Sequence, residues 1–116
     1  MAVTGSRERI TAEVLTWEGM SAVPHRFGGT EYLFGTREIG HIHGDTMVDI
    51  PFPTKIRNEL VAAGEAEPHH LLQDSGWVSF YIRQAEDVAK AVKLLERSYH
   101  LANRQRQRGV TKEEDQ

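Results

Sequence analysis

The chain has 116 residues, 39% of them hydrophobic and 27% charged, with a formal net charge of −3 and no cysteine. A chain of this length buries roughly two-thirds of the surface its unfolded form exposes, so one unstapled domain with one core is expected. This balance excludes a disulfide scaffold, thiolate metal ligands and a cysteine nucleophile, and it argues against a nucleic-acid partner, which calls for a basic footprint.

In chain order, Thr4 to Trp17 reads as a helix, because Ile10, Val14 and Trp17 recur at helical spacing between charged residues. Pro24 then marks extended chain. From Val23 to Ile50 short runs alternate with turn residues. Gly28-Gly29 separates Val23–Phe27 from Glu31–Phe34, Gly35-Thr36 precedes Glu38–His43, and Gly44-Asp45 leads into Thr46–Ile50. Such close spacing predicts an antiparallel meander of four strands.

Pro51 and Pro53 end that meander. A second helix starts near Pro53, carries Ile56, Leu60 and Ala63 on its apolar stripe, and stops at Gly64. The stretch from Glu65 to Gly76 reads as a loop, and Trp77–Ile82 as a further strand. In the last helix Val88, Ala91, Val92, Leu95 and Tyr99 share one face, with Glu86 and Asp87 in the first turn. The predicted class is α+β: an antiparallel sheet of about five strands with three helices mainly on one face, in the order α-β-β-β-β-α-β-α. Residues 1–102 form the single domain, and 103–116 are expected to be a disordered polar tail. No apolar run reaches the length of a membrane span, and no apolar stretch follows the N-terminal arginines as a secretory signal requires. A cytoplasmic protein, monomeric or homodimeric, is the expectation.

Chemistry concentrates between positions 41 and 70, which hold four of the six histidines. Strand alternation puts His41 and His43 on one face, together with Ile39. Asp49 lies across a tight turn on the next strand, while His69 and His70 sit on a loop, where binding residues are often displayed. Three readings stay open from the residues alone. A divalent metal could be held by His41 and His43 with a carboxylate. A metal-free histidine could act as a base that Asp49 orients. The histidines could equally be hydrogen-bonded structural residues of a half-buried sheet. Gly35 followed after five residues by His41-Ile42-His43 imitates the first metal motif of cupins, but Asp49 comes late for that pattern and no second motif follows.

The string from Arg26 to Trp77 resembles the luciferase-like domain family, whose namesake is the luciferase of bioluminescent fungi. The resemblance rests on Arg26-Phe27-Gly28-Gly29, on Glu38-Ile39-Gly40-His41-Ile42-His43-Gly44, and on Val48-Asp49-Ile50-Pro51-Phe52-Pro53. It continues through Arg57, Glu67-Pro68-His69-His70 and Asp74-Ser75-Gly76-Trp77-Val78. The fungal enzymes oxidise a hydroxylated pyrone with molecular oxygen and no recognised organic cofactor, releasing carbon dioxide and light. The resemblance therefore implies a small-molecule ligand, no cofactor, and an oxidoreductase of oxygenase type acting on an enolisable or phenolic substrate. Whether this chain is catalytic or only a ligand-binding or interaction domain stays open. By resemblance His41, His43, Asp49, His69 and His70 line the pocket. Arg26, Glu38, Phe52, Arg57, Ser75 and Trp77 are the candidate substrate-binding residues. Trp77-Val78 followed by a helix ending in Ser98-Tyr99 is also similar to the MmcQ/YjbR-type α+β domains, a likeness of architecture rather than chemistry.

Overall fold

A computed structural model describes residues 2–25 and 28–114, with side chains through 107. Arg26, a substrate-binding candidate from the sequence, lies outside the described residues. The elements are α1 (Ser6–Val14), β1 (Met20–Pro24), β2 (Thr30–Phe34), β3 (Arg37–His43), β4 (Met47–Pro51), α2 (Thr54–Ala62), β5 (Glu67–Pro68), β6 (Trp77–Tyr81) and α3 (Asp87–Glu114). They build an open antiparallel sheet in the order β1-β2-β3-β4-β6-β5, with three helices. The expected order of helices and main strands is present, and the sheet has six strands rather than about five. The extra one is the two-residue β5, which pairs Glu67 with Ser79 and Pro68 with Val78 inside the stretch read as a loop.

Alternation along the central strands sorts side chains onto two faces. Ile42, Val48, Ile50 and Val78 are fully buried and join a core with Ile10 and Val14 of α1, Leu60 of α2, and Val88, Ala91, Leu95 and Tyr99 of α3. Their neighbours His41, His43, Asp49 and Ser79 point to the other face, which carries no helix among the described residues, since all three helices contribute to this core. Register brings these polar residues into one row, since Glu31 pairs with His41, His41 with Asp49, Asp49 with Ser79, and Ser79 with Glu67.

Three boundaries differ from the sequence reading. β1 begins at Met20 rather than Val23. Gly19 sits at φ 83° in a turn closed by the Met20 amide on the Trp17 carbonyl, which releases the chain into the sheet three residues earlier. Ile39 does not share the face of His41. The register pairs Tyr32 with Gly40 and Leu33 with Glu38, which leaves Ile39 as the extra residue of a bulge, and it joins the core. Finally, α3 continues past Leu101 to Glu114. Gln and Arg are good helix formers, and residues 103–107 find docking partners that composition does not reveal. Gln105 accepts a hydrogen bond from the Arg37 guanidinium, and Arg106 lies 5.3 Å over the Phe34 ring.

The N-terminus of α1 is capped from a distance. The Arg7 amide donates to Asp45 Oδ1 at 2.9 Å and the Gly5 amide to Oδ2 at 3.3 Å, so the β3–β4 turn supplies the carboxylate that the helix lacks locally. Asp45→Ala should therefore cost about 1 kcal/mol. Urea unfolding should show this as a lower midpoint at unchanged slope, and an unchanged midpoint would mean that water caps the helix equally well.

Candidate functional site

Asp49 is the centre of the helix-free face. Its side chain is fully buried there because histidines and the chain around β5 cover it. Four imidazole Nε2 atoms surround one of its oxygens: Oδ2 lies 3.2 Å from His41, 2.9 Å from His43, 3.3 Å from His69 and 3.3 Å from His70. The other oxygen, Oδ1, accepts a 2.7 Å bond from the buried Ser79 hydroxyl. All five residues of the sequence-predicted centre thus converge. The sheet supplies His41, His43 and Asp49 from adjacent strands, and the chain after β5 delivers His69 and His70.

The bulge at Ile39 adds a further member. Residues 38 and 41 have opposite parity and would face opposite sides of a regular strand. The extra residue restores them to one face, and His41 Nδ1 lies 2.5 Å from Glu38 Oε2. His41 is thereby clamped between two carboxylates. His25 lies outside the 41–70 segment in which the sequence concentrates its histidines, but it stacks on His41 with ring centroids 4.6 Å apart. The β1–β2 hairpin could have shown this, because Val23 pairs with Glu31 and residue 25 shares its parity.

Electrostatics follow from burial set against these contacts. Burial pushes the Asp49 carboxyl up, but bonds from His41, Ser79 and His43 outweigh it and hold the group well below the usual carboxylate range. Burial lowers His41, yet hydrogen bonds to Asp49 and Glu38 raise it to about 9. For His69 burial prevails over the attraction of Asp49, and its value falls. Glu38 is pushed up by burial but ends below its ordinary value through its bonds to His41 and Glu31. Glu31 is raised, first by its hydrogen bond with Glu38.

The remaining substrate-binding candidates divide. Trp77 borders the cluster, its ring 5.5 Å from His41 and 6.1 Å from His69. Phe52 is packed in the hydrophobic core, which leaves Trp77 as the aromatic wall. Arg57 donates to the Gln73 carbonyl and so braces the chain after His70. Ser75 closes a turn, donating to the Leu72 carbonyl and accepting from the Trp77 amide. Sequence reasoning passed over Leu71 and Leu72, which follow the histidine pair and are 78% and 51% exposed.

Fold and site together define an open-faced α+β domain with a buried carboxylate–histidine centre on the sheet. A family model described as Luciferase domain matches residues 36–98, more than half of the chain and the span that holds the whole centre except His25 and Glu31. The chain belongs to that family. No curated protein and no solved structure matches it. Among the described residues no helix is long and apolar enough to cross a membrane.

Proposed function

We propose that this protein is a small-molecule enzyme of oxygenase type whose reaction takes place over the Asp49 centre. The observation that carries this reading is the convergence of four imidazoles on one buried carboxylate, on the sheet face that no helix covers. A structural core histidine needs one or two hydrogen-bond partners. Four of them gathered at one oxygen, with His43 and His70 about a third exposed, are better explained by chemistry offered to a ligand.

The substrate class follows from what borders the centre. Trp77 offers an aromatic wall, and exposed Leu71 and Leu72 offer an apolar rim beside His70. A flat phenolic or enolisable compound matches both surfaces. An imidazole at its acidic O–H or C–H makes the electron-rich anion that molecular oxygen attacks, and no organic cofactor is required for that step. A small molecule is the partner proposed; neither nucleic acid nor a membrane fits the −3 charge and the polar open face.

The test is a panel of phenols and 1,3-dicarbonyls titrated against the intrinsic fluorescence of a Trp17→Phe variant, which leaves Trp77 as the sole indole. Saturable quenching is expected, at least tenfold weaker in His70→Ala, with oxygen uptake by electrode for the compound that binds. Quenching without oxygen uptake would make the site a binding module. No quenching by any member would remove the small-molecule reading.

A further inference from the structure

The hydrogen bonds at Nδ1 differ between His69 and His41, and they distinguish what these two rings can offer at Asp49. His69 Nδ1 accepts backbone N–H bonds from Leu71 at 3.1 Å and Leu72 at 3.0 Å. A neutral ring bonded in that way carries its proton on Nε2, beside the carboxylate, and has no lone pair there for a cation. His41 is the opposite case. Its Nδ1 is engaged by Glu38, so that Nε2, at 3.2 Å from Asp49 Oδ2, is the nitrogen that can take an ion in place of its proton. A carboxylate behind an imidazole is the usual support of a metal-ligating histidine.

Protons alone do not account for the crowding. A carboxylate oxygen has about two lone-pair directions, whereas Oδ2 has four ring nitrogens within 3.3 Å. Ligands held by a common ion at ~2.0–2.2 Å stand roughly 3.0–3.5 Å from one another. The separations of His41 and His43 from Oδ2, 3.2 and 2.9 Å, match the edges of such a polyhedron. The donor atoms of His41, His43 and Asp49 also lie within 4.8 Å of one another.

We propose that His41, His43 and Asp49, one of the two donor triads that share this carboxylate, bind a single divalent transition-metal ion, with His70 of the other triad at its rim. His69 and Glu38 act as positioning residues, and Ser79 fixes the second carboxylate oxygen. Two imidazoles and one carboxylate suit iron, manganese, cobalt or zinc and disfavour calcium and magnesium, which prefer oxygen. His43 and His70 stand at the solvent side, so the open coordination positions face the surface to which the proposed substrate binds. The inference deepens the enzymatic reading and places its reaction at a metal.

Untagged protein stripped with EDTA and titrated with Co(II) tests it without any substrate. One cobalt per chain is expected by elemental analysis, with visible d–d absorption and a rise in Tm. His43→Ala, at a partly exposed position, and His41→Ala should each weaken cobalt binding by at least tenfold. Glu38→Gln should weaken it by roughly 10–100-fold, and His100→Ala should leave it unchanged. No stoichiometric cobalt, two ions per chain, or binding that survives His41→Ala/His43→Ala would overturn the proposal. Quenching of Trp77 by phenols in the EDTA-stripped protein is read separately. If quenching persists and cobalt binding fails, only the metal is lost; if cobalt binds and quenching fails, the substrate reading is lost.

Discussion

Replacing Asp49 with alanine is expected to lower the stability of EDTA-treated protein at pH 6 by about 3 kcal/mol, the low end of the ~3–5 kcal/mol typical of breaking a buried ion pair. The low end applies because the protonated His41 left behind can shed its charge, whereas a fixed cation could not. Two further losses accompany the charge. The buried Ser79 hydroxyl loses its acceptor, and the loop histidines lose the group that draws them onto the sheet. Asp49→Asn should cost less, since an amide oxygen still serves Ser79.

The difference between wild type and Asp49→Ala should depend on pH in a direction that the shifts fix. Asp49 is held below its ordinary value of 3.8, so its contribution is present above that value and is lost as pH falls through the folded one. His41 is raised from 6.5 to about 9, so its contribution is complete below 6.5 and is lost as pH rises toward 9. The difference should peak between about pH 4 and 6.5 and shrink on both sides. Urea midpoints across pH 3–10 measure it. A flat difference would show that Asp49 matters through packing rather than charge.

Much of this centre was legible because strand parity is a local rule. His41 and His43 differ by two, Gly44-Asp45 is a tight turn, and the register it sets puts Asp49 directly across from His41. The core stripe of α3 was legible for the same reason, since Val88, Ala91, Leu95 and Tyr99 follow one helical period. What stayed hidden depends on contacts distant in sequence. Ile39 looks like any alternating strand residue, and only its pairing with β2 makes it a bulge that turns Glu38 toward His41. His25 joins through hairpin register, and β5 exists because β6 offers a free edge. The length of α3 depends on Arg37 and Phe34, about seventy residues upstream in the chain, so the composition of the segment could not show it. His69 and His70 stood out by their place on a loop and by the family resemblance, and nothing in their local pattern says that they reach Asp49.

The bulge also predicts a coupled pair on the opposite face. Leu95 is fully buried at the middle of α3, and a methyl built on Gly40 would stand 2.6 Å from its Cδ2. The glycine lets the helix settle against β3 at the point where the strand is deformed to aim Glu38 and His41. Leu95→Ala removes the inserted side chain and should cost about 2–5 kcal/mol through lost burial and the cavity left behind. Gly40→Ala keeps the leucine and overfills its seat, and should cost about 1–3 kcal/mol. In the double variant the new methyl occupies part of the space that the leucine vacates, so its cost should fall short of the sum by about 0.5 kcal/mol or more. Relief is incomplete, because the same methyl would lie 3.1 Å from the Asp49 carbonyl oxygen, which cannot withdraw without disturbing β4. Urea unfolding of the four proteins gives the coupling directly. Strict additivity would mean that Gly40 is required by its own φ of 158° and by the backbone of β4, and that the helix does not set the shape of the strand that carries His41.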